Sequence, residues 1–313
     1  MPTMARTNPP TPTLIDCDPG IDDALALLLA AASDELQIVG VTTVAGNRTV
    51  EMTADNACRV LDLAGRPDVP VHAGCGHALT LPGARTNTVH GEDGLGGVEL
   101  PRSRGATAQH AVDVIEQALL HEPAGSLTLV AIGPLTNLAL AEIKRPGLLK
   151  RAQRVLVMGG AAFCDGNITP SAEFNFHADA LAAQTVLASG AQVLLFGLDV
   201  TRQAVMPVDW VDSLGTLGNR CGPIARDLIR GFRRDKPLLH DTCPVAWLIA
   251  PELFNSERCR VEVDWRPGLT EGHLAAKRIA LAREDFGSPV EVFTSVQSDA
   301  LRELLRQRLA RLP

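Results

Sequence analysis

"TLIDCDPGIDDALALLLA", residues 13–30, combines a short apolar strand with an apolar helix, and it decides the fold that we predict. Four carboxylates, those of Asp16, Asp18, Asp22 and Asp23, lie between and beside these two apolar runs. Like charges next to a hydrophobic core repel one another and lose hydration. The stretch therefore needs something that compensates its negative charge.

The alternation of strand and helix continues along the chain. Apolar runs such as "LQIVGVTTV", "LTLVAI", "RVLVMGG" and "QVLLFGLD" are separated by helical patterns. Strands that are apolar on both faces and separated by helices are typical of a parallel sheet covered on each side. We predict an α/β fold with an open, mostly parallel, Rossmann-like sheet flanked by helices. Ligands of such sheets bind at the carboxyl ends of the strands, so we expect the active site there.

The organisation of the chain is predicted to be simple. Residues 1–12 have no apolar segment typical of a secretory signal and are expected to form a disordered tail. Residues 13–313 show no break in composition, which favours a single domain. The Gly-rich, polar stretches 74–106 and 160–176 are expected to be functional loops, and 222–239 a short basic loop near the site.

Composition excludes several classes of function. With 29 Lys and Arg against 36 Asp and Glu, the net charge of -7 argues against binding to nucleic acid. The longest apolar run is far shorter than the roughly 20 residues that span a bilayer, so no membrane partner is expected. Seven cysteines without a C-x-x-C pair predict free thiols in the cytoplasm rather than disulfides or zinc.

A bound cation is the favoured explanation of the aspartates, and an all-oxygen set suits Ca²⁺ or Mg²⁺. Capping of the turn and helix start is an alternative for one or two of them. An EF-hand fails, because counting from Asp16 places Ile21 at the position that needs glycine. A phosphatase of the haloacid dehalogenase type would use Asp16 as nucleophile, but Gly20 lies where that family usually has Thr or Val.

Seven motifs, taken together, resemble one family. They are "DCDPGIDDALAL", "TTVAGN", "HGEDGLGG", "AIGPLTNLA", "VLVMGGA", "GNITPSAEFNFHAD" and "HDTCPVAWL", in this order from residue 16 to residue 248. In this respect the chain is similar to the calcium-dependent nucleoside hydrolases, the inosine-uridine-preferring N-ribohydrolase family. The resemblance implies hydrolysis of ribonucleosides to ribose and a free purine or pyrimidine base.

The resemblance also implies a metal site and two catalytic residues. Ca²⁺ would be the cofactor, and its ligands would be the side chains of Asp18, Asp23 and Asp241 and the backbone carbonyl of Ile132. Asp18 would accept a proton from the attacking water, and His240 would assist departure of the base.

The substrate-binding residues implied by the resemblance surround the ribose and the base: Asp22, Asn47, His90, Met158, Asn167, Glu173, Asn175 and Asp241. No substrate contact is assigned to Asp16, which is expected to support the turn or the residues behind the metal. The chain contains no tyrosine. Because some relatives use tyrosine beside the leaving base, the preference between purine and pyrimidine stays open.

Three functions are compatible with these sequence features. The favoured one is the nucleoside hydrolase, with a small ribonucleoside as its partner and a homodimer or homotetramer as its assembly. The alternatives are the Asp-x-Asp phosphatase and a nucleoside or ribose binder without catalysis. The final segment, "SDALRELLRQRLARL", has a leucine stripe that is expected to pack on its own domain rather than on a partner.

Overall fold

The computed structural model describes residues 9–80, 85–101, 104–233 and 235–313. Its described parts contain nine strands: β1 (Thr11–Cys17), β2 (Leu36–Thr43), β3 (Val71–Ala73), β4 (Thr128–Ala131), β5 (Arg154–Met158), β6 (Val193–Phe196), β7 (Phe254–Val263), β8 (Leu274–Arg278) and β9 (Ser288–Val296). All nine belong to one sheet.

Helices connect most of these strands. In the described ranges they are α1 (Ile21–Ala31), α2 (Val50–Leu63), α3 (Ala111–His121), α4 (Thr136–Lys144), α5 (Phe174–Ala178), α6 (Ala180–Ala188), α7 (Leu198–Thr201), α8 (Val208–Leu214), α9 (Cys221–Gly231), α10 (Thr242–Ile249) and α11 (Ser298–Leu309). Single 3₁₀ turns lie at Leu149–Arg151, Pro251–Leu253 and Ile279–Leu281. None of the helices seen in these ranges has both the length and the apolar character that a bilayer crossing requires.

The strand order is β3-β2-β1-β4-β5-β6-β9-β7-β8. Pairing is parallel from β3 to β9, and β7 runs antiparallel to both of its neighbours. The predicted fold class is confirmed. From β1 the chain proceeds outward in one direction to β2 and β3, and then returns to the other side of β1 with β4. The carboxyl ends of β1 and β4 thus form a switch point, where sheets of this kind bind ligands.

Two hydrophobic clusters cover the sheet, and α1 lies inside the first of them. Residues Leu25 to Leu29 of α1 are all fully buried, because α1 contacts α2, α9, α10 and α11. A helix that is apolar on all sides is stable only when it is enclosed in this way. The second cluster contains residues of α3, α4 and α6, of which α4 contacts the other two.

Two predicted boundaries differ from the structure. The first strand begins at Thr11, inside the predicted tail, because the N–H of Thr11 bonds to the carbonyl of Glu35 and the ladder with β2 starts there. Residues 1–8 lie outside the described residues. The predicted loop at 222–239 is also wrong in its first part, where α9 extends to Gly231. Its buried Ala225, Leu228 and Ile229 recur at helical spacing and pack on the first cluster.

The other two predicted loops are largely irregular. The described residues of 74–106 form turns and bends without a helix or strand. The stretch 160–176 is irregular up to Glu173, and α5 begins at Phe174.

The leucine stripe of α11 packs on the chain's own core, as predicted. Leu301, Leu305 and Leu309 are fully buried in the first cluster, and Leu304 packs against its margin. The C-terminal helix therefore closes the same face of the sheet that α1 occupies.

We expect Leu305→Ala to lower the free energy of unfolding by about 2–5 kcal/mol, because it removes buried methyl groups and leaves a cavity. Gln307→Ala on the exposed side of the same helix is the matched control, with an expected change within about 0.5 kcal/mol. Urea unfolding followed by circular dichroism measures both. Equal effects of the two substitutions would contradict the packing of α11 described above.

Candidate active site

The candidate site begins at the sharp turn between β1 and α1. No side chain fits at Gly20, because a Cβ there would lie 2.7 Å from Nδ1 of His90 and 2.8 Å from Nδ2 of Asn47. Asp23 closes the turn. Its Oδ1 accepts the N–H of Asp18 at 3.1 Å, and its Oδ2 accepts the N–H of Gly20 at 3.0 Å.

A cavity of about 270 Å³ opens at the carboxyl ends of β1, β4 and β5. Its lining combines acidic and amide side chains with apolar ones: Asp18, Asp22, Asn47, Asn87, Val89, His90, Ile132, Met158, Asn167, Ile168, Glu173, Phe174, Asn175, Leu198, Arg202, Phe232, Leu238, His240 and Asp241. A cavity with a few convergent polar groups among apolar walls is the usual form of a small-molecule site.

Carboxylates from two distant parts of the chain meet here. One oxygen from each of Asp22, Asp23 and Asp241 lies within 4.8 Å of the others. Two buried oxygens of the site, Oδ1 of Asp18 and Oδ1 of Asp22, have no hydrogen-bond partner among the described residues. Buried oxygens without partners are costly unless an ion or water satisfies them.

The pKa shifts of these acids also indicate that a positive charge is needed at the site. Burial, together with the charge of its neighbour Asp22, raises the pKa of Asp23 to about 7. Burial and the surrounding aspartates raise the pKa of both Asp18 and Asp241 well above the ordinary value. Several such groups cannot all be ionised at neutral pH without a compensating charge. The donor set, all carboxylate oxygen with backbone carbonyls nearby, fits a hard divalent cation.

The position of Asp18 is fixed by close backbone contacts. Its Oδ2 accepts the N–H of Asn47 at 2.6 Å. A Cβ at Gly46 would overlap that oxygen, and one at Gly133 would lie 2.5 Å from Oδ1. Both glycines are therefore required for the backbone to approach this carboxylate. Asn47 also links the turn, since its Nδ2 donates to Oδ2 of Asp23 at 3.1 Å.

Asp16 lies behind the site. Its Oδ1 accepts hydrogen bonds from Oγ1 of Thr42 at 2.5 Å and Nδ2 of Asn137 at 2.8 Å. Asp16 is 3% exposed and does not line the cavity. A phosphatase that used Asp16 as nucleophile would need this carboxylate to reach the substrate, so the geometry does not support that alternative.

Glu173 and Asn175 organise the opposite wall. Glu173 caps α5: its Oε1 accepts the N–H of Asn175 at 2.9 Å, and its Oε2 accepts the N–H of Gly160 at 3.0 Å. Burial raises the pKa of Glu173 to about 7. Nδ2 of Asn175 donates to the carbonyls of Ile132 at 3.0 Å and Met158 at 3.1 Å, so the ends of β4 and β5 are tied to α5.

Asn167 belongs to the irregular stretch before α5. Its Oδ1 accepts the N–H of Phe174 at 2.9 Å. This bond folds the stretch back on itself and brings Asn167 to the cavity wall, where Phe174 also lies.

The two predicted histidines both line the cavity. Nδ1 of His90 accepts the N–H of Ile21 at 3.0 Å, which places the proton of a neutral ring on Nε2. The His90 ring also packs edge-on against Phe232, with centroids 5.5 Å apart. Nδ1 of His240 lies 2.8 Å from Oγ1 of Thr201, a bond that orients the ring from α7.

The structure brings together all the predicted site residues. Each lines the cavity except Asp23, which lies in the acidic cluster beside it. Sequence reasoning missed Asn87 and Arg202 among the polar lining residues. The signal for Asn87 was its place in the polar stretch 74–106. For Arg202 the signal was weaker, since it follows α7 after the end of β6.

Comparison with known proteins defines the class of protein to which this site belongs. The sequence profile described as inosine-uridine preferring nucleoside hydrolase matches residues 13–303. The chain belongs to this family and is a nucleoside hydrolase.

Relatives agree along nearly the full length. The pyrimidine-specific ribonucleoside hydrolase RihA of Klebsiella pneumoniae is 38% identical over 316 residues, covering 96% of this chain and 98% of its own. The plant nucleoside hydrolase PpNRh1 superposes with a TM-score of 0.90 at 31% identity, covering 96% of this chain and 99% of its own. A purine-preferring ribonucleoside hydrolase from Gardnerella vaginalis gives 0.89 at 29% identity, with 96% and 98% covered.

A divalent cation should stabilise the protein through the acidic cluster. At a concentration 100 times its Kd, binding adds about 2.7 kcal/mol to the free energy of unfolding. We expect addition of Ca²⁺ to chelator-treated protein to raise the Tm, and Asp23→Asn to reduce that rise strongly. Asp34→Asn, at an exposed position, is the control that should keep it. An equal rise in both variants, measured by differential scanning fluorimetry, would exclude this cluster as the binding site.

Proposed function

We propose that the chain hydrolyses the N-glycosidic bond of purine and pyrimidine ribonucleosides, with Ca²⁺ as its cofactor. The observation that carries the proposal is the meeting of Asp18, Asp22, Asp23 and Asp241 at one end of a nucleoside-sized cavity, with His240 beside them. Two of the three named relatives differ in their base preference, one pyrimidine-specific and one purine-preferring, which is consistent with activity on both classes.

Cleavage of this bond passes through an oxocarbenium-like state of the sugar. Positive charge develops on the ribose while negative charge develops on the base. The site must therefore supply a base for the attacking water, a firm hold on the ribose hydroxyls and a donor for the departing base.

The cation would be held by the carboxylates of Asp18, Asp23 and Asp241 and the backbone carbonyl of Ile132. Ca²⁺ accepts six to eight oxygen ligands in flexible geometry and commonly takes carbonyl oxygens, which suits this set better than Mg²⁺. When bound, it acidifies a coordinated water and neutralises the acids around it. The positive charge of the cation would lower the raised pKa of Asp18, Asp23 and Asp241 and so keep these acids ionised.

Asp18 is the residue that we assign to accept the proton of the attacking water. Its Oδ2 is taken by the N–H of Asn47, and its Oδ1 has no partner within the described part of the chain. The carboxylate is thus held rigidly with one oxygen available at the cavity.

The ribose would lie between the acids and α5. Asp22, with an oxygen lacking a partner in the described ranges, would accept a hydrogen bond from a sugar hydroxyl. The remaining sugar contacts are assigned to Asn47, Met158, Asn167, Glu173, Asn175 and Asp241. Glu173 and Asn175 are already fixed by backbone bonds, so they would bind the ribose with little loss of side-chain entropy.

The base would then lie toward His240 and His90. His240 is oriented by Thr201 and would protonate or stabilise the departing base. His90 packs on Phe232, and the pair would form a wall of the base site. A cytoplasmic location and assembly as a homodimer or homotetramer stay predictions.

The central experiment incubates pure protein with a panel of ribonucleosides, with and without chelator, and separates free base by chromatography. We expect base release from inosine or uridine and loss of release on chelation. Asp18→Ala should lower kcat by about 10²–10⁴-fold, the range for a missing acid–base group.

The exposed Asp34→Ala is the matched control and should retain full activity. Binding of nucleosides without any product from the wild-type protein would favour the non-catalytic binder instead. No binding and no cleavage of any ribonucleoside would overturn the proposal altogether.

His240→Ala tests the leaving-group role. We expect kcat for inosine and uridine to fall by about 10²-fold or more, because the base departs without a proton donor. A ribosyl substrate with a p-nitrophenolate leaving group should be affected far less, since that group needs no protonation. His121→Ala, at an exposed position in the last turn of α3, should change neither rate. Equal losses on both kinds of substrate would assign His240 a role other than leaving-group activation.

A further inference from the structure

Arg202 is a cavity residue for which the proposed mechanism has no use. It follows α7 directly and is half-buried in the cavity wall. Nη2 of Arg202 donates to the carbonyl of Gly166 at 2.7 Å. One end of the guanidinium is thereby fixed, and the direction of the remaining N–H groups is restricted.

Among the described residues, Arg202 forms no ion pair that would neutralise its charge. In the described ranges no carboxylate oxygen lies within 4.0 Å of its guanidinium nitrogens. The nearest acid in sequence, Asp199, is occupied elsewhere, since its oxygens accept the N–H groups of Ala162 and Phe163 at 2.8 Å each. A cation in a cavity rich in carboxylates that pairs with none of them is available to a ligand.

Arg202 belongs to the end of the cavity that is assigned to the base. The preceding residue, Thr201, holds His240, and Leu198 at the start of α7 lines the same wall. A bridge between Val205 and Leu238 brings another apolar lining residue to this end. The acids Asp18, Asp22 and Asp23 follow β1, on a separate element, and Asp241 lies next to His240 where the two parts of the cavity meet.

The chemistry of arginine restricts what it can recognise. A guanidinium carries five donors and no acceptor, so it pairs with carbonyl oxygens and not with amino groups. As the glycosidic bond breaks, negative charge spreads over the base and onto its carbonyl oxygens. A donor with a positive charge therefore binds the transition state more strongly than the substrate. The chain has no tyrosine, so no phenolic hydroxyl can donate to the base instead.

We propose that Arg202 recognises the base by donating to a carbonyl oxygen at ring position 6 of a purine or 4 of a pyrimidine. This inference rests on the proposed nucleoside hydrolysis. It makes Arg202 a specificity-determining residue that favours inosine over adenosine and uridine over cytidine. Within each pair the ring is the same size, and the carbonyl is replaced by an amino group.

A merely structural role of Arg202 has a different signature. If the residue only holds the Gly166 carbonyl, its loss displaces the stretch that carries Asn167, which contacts no part of the base in the proposed arrangement. All four nucleosides would then lose activity by the same factor, chiefly through KM. Recognition of the base instead changes the ratio within each pair.

The experiment measures kcat and KM for the four nucleosides with wild-type protein, Arg202→Met, Arg202→Lys and the control Arg230→Met. Arg230 is an exposed residue paired with Asp212 and should tolerate substitution. We expect Arg202→Met to lower kcat/KM for inosine and uridine by about tenfold or more, the weight of a hydrogen bond to a charged group. Adenosine and cytidine should lose far less, and Arg202→Lys should recover part of the preference.

Equal losses on all four nucleosides, an unchanged ratio in Arg202→Met, or a wild type without preference would each overturn the role of Arg202. Absence of any cleavage by the wild type would instead refute the proposed function. If Arg202→Met does not fold, judged by its thermal transition, the ratios of Arg202→Lys and Arg202→Gln decide. Arg202→Gln keeps a donor without the charge and should lie between methionine and the wild type.

Discussion

The cost of burying carboxylates dominates the architecture of this protein. Asp18, Asp23 and Asp241 are almost completely buried, and burial raises the pKa of each. Such groups are tolerated only where a cation or a dense set of donors compensates them. The switch point between β1 and β4 supplies the place, because the connection after β1 leads to β2 on one side and the connection after β4 leads to β5 on the other. The cation that would compensate these carboxylates is the same one that we propose as the catalytic cofactor.

The backbone conformation brings hydrogen-bond donors close to these carboxylates. Gly46 and Gly133 allow the main chain to approach Asp18 more closely than any side chain would permit. Asn47 then bonds to Asp18 and Asp23 at once, and its Oδ1 accepts Nδ2 of Asn87 at 2.7 Å. The asparagine thus joins the turn after β1 to the polar stretch that follows β3. The uncharged groups of Asn47 thus hold the carboxylates of Asp18 and Asp23. The positions of these carboxylates are therefore fixed before a ligand binds.

Sequence patterns predicted some parts of this arrangement and missed others, for identifiable reasons. The buried strand, the turn at Gly20 and the acids at the start of α1 could be predicted because their determinants are local. The start of β1 at Thr11 could not, because its hydrogen bonds depend on β2. Helix α9 was mistaken for a loop, since its basic residues obscured an apolar stripe. Arg202 was missed because only the packing of α7 brings it to the cavity.

By itself, the sequence determined the fold class, the family and the chemical character of the site. The spacing of hydrophobic residues specifies parallel strands and covering helices, and the motif residues specify oxygen ligands and amide groups. The tertiary structure alone decided which of those groups meet. Asp22 and Asp241 are far apart in the chain, and Asp16 is two residues from Asp18 yet lies behind the cavity. The distances between these side chains depend on the order of the strands in the sheet. That order depends on contacts between residues far apart in the chain, which no local sequence pattern contains.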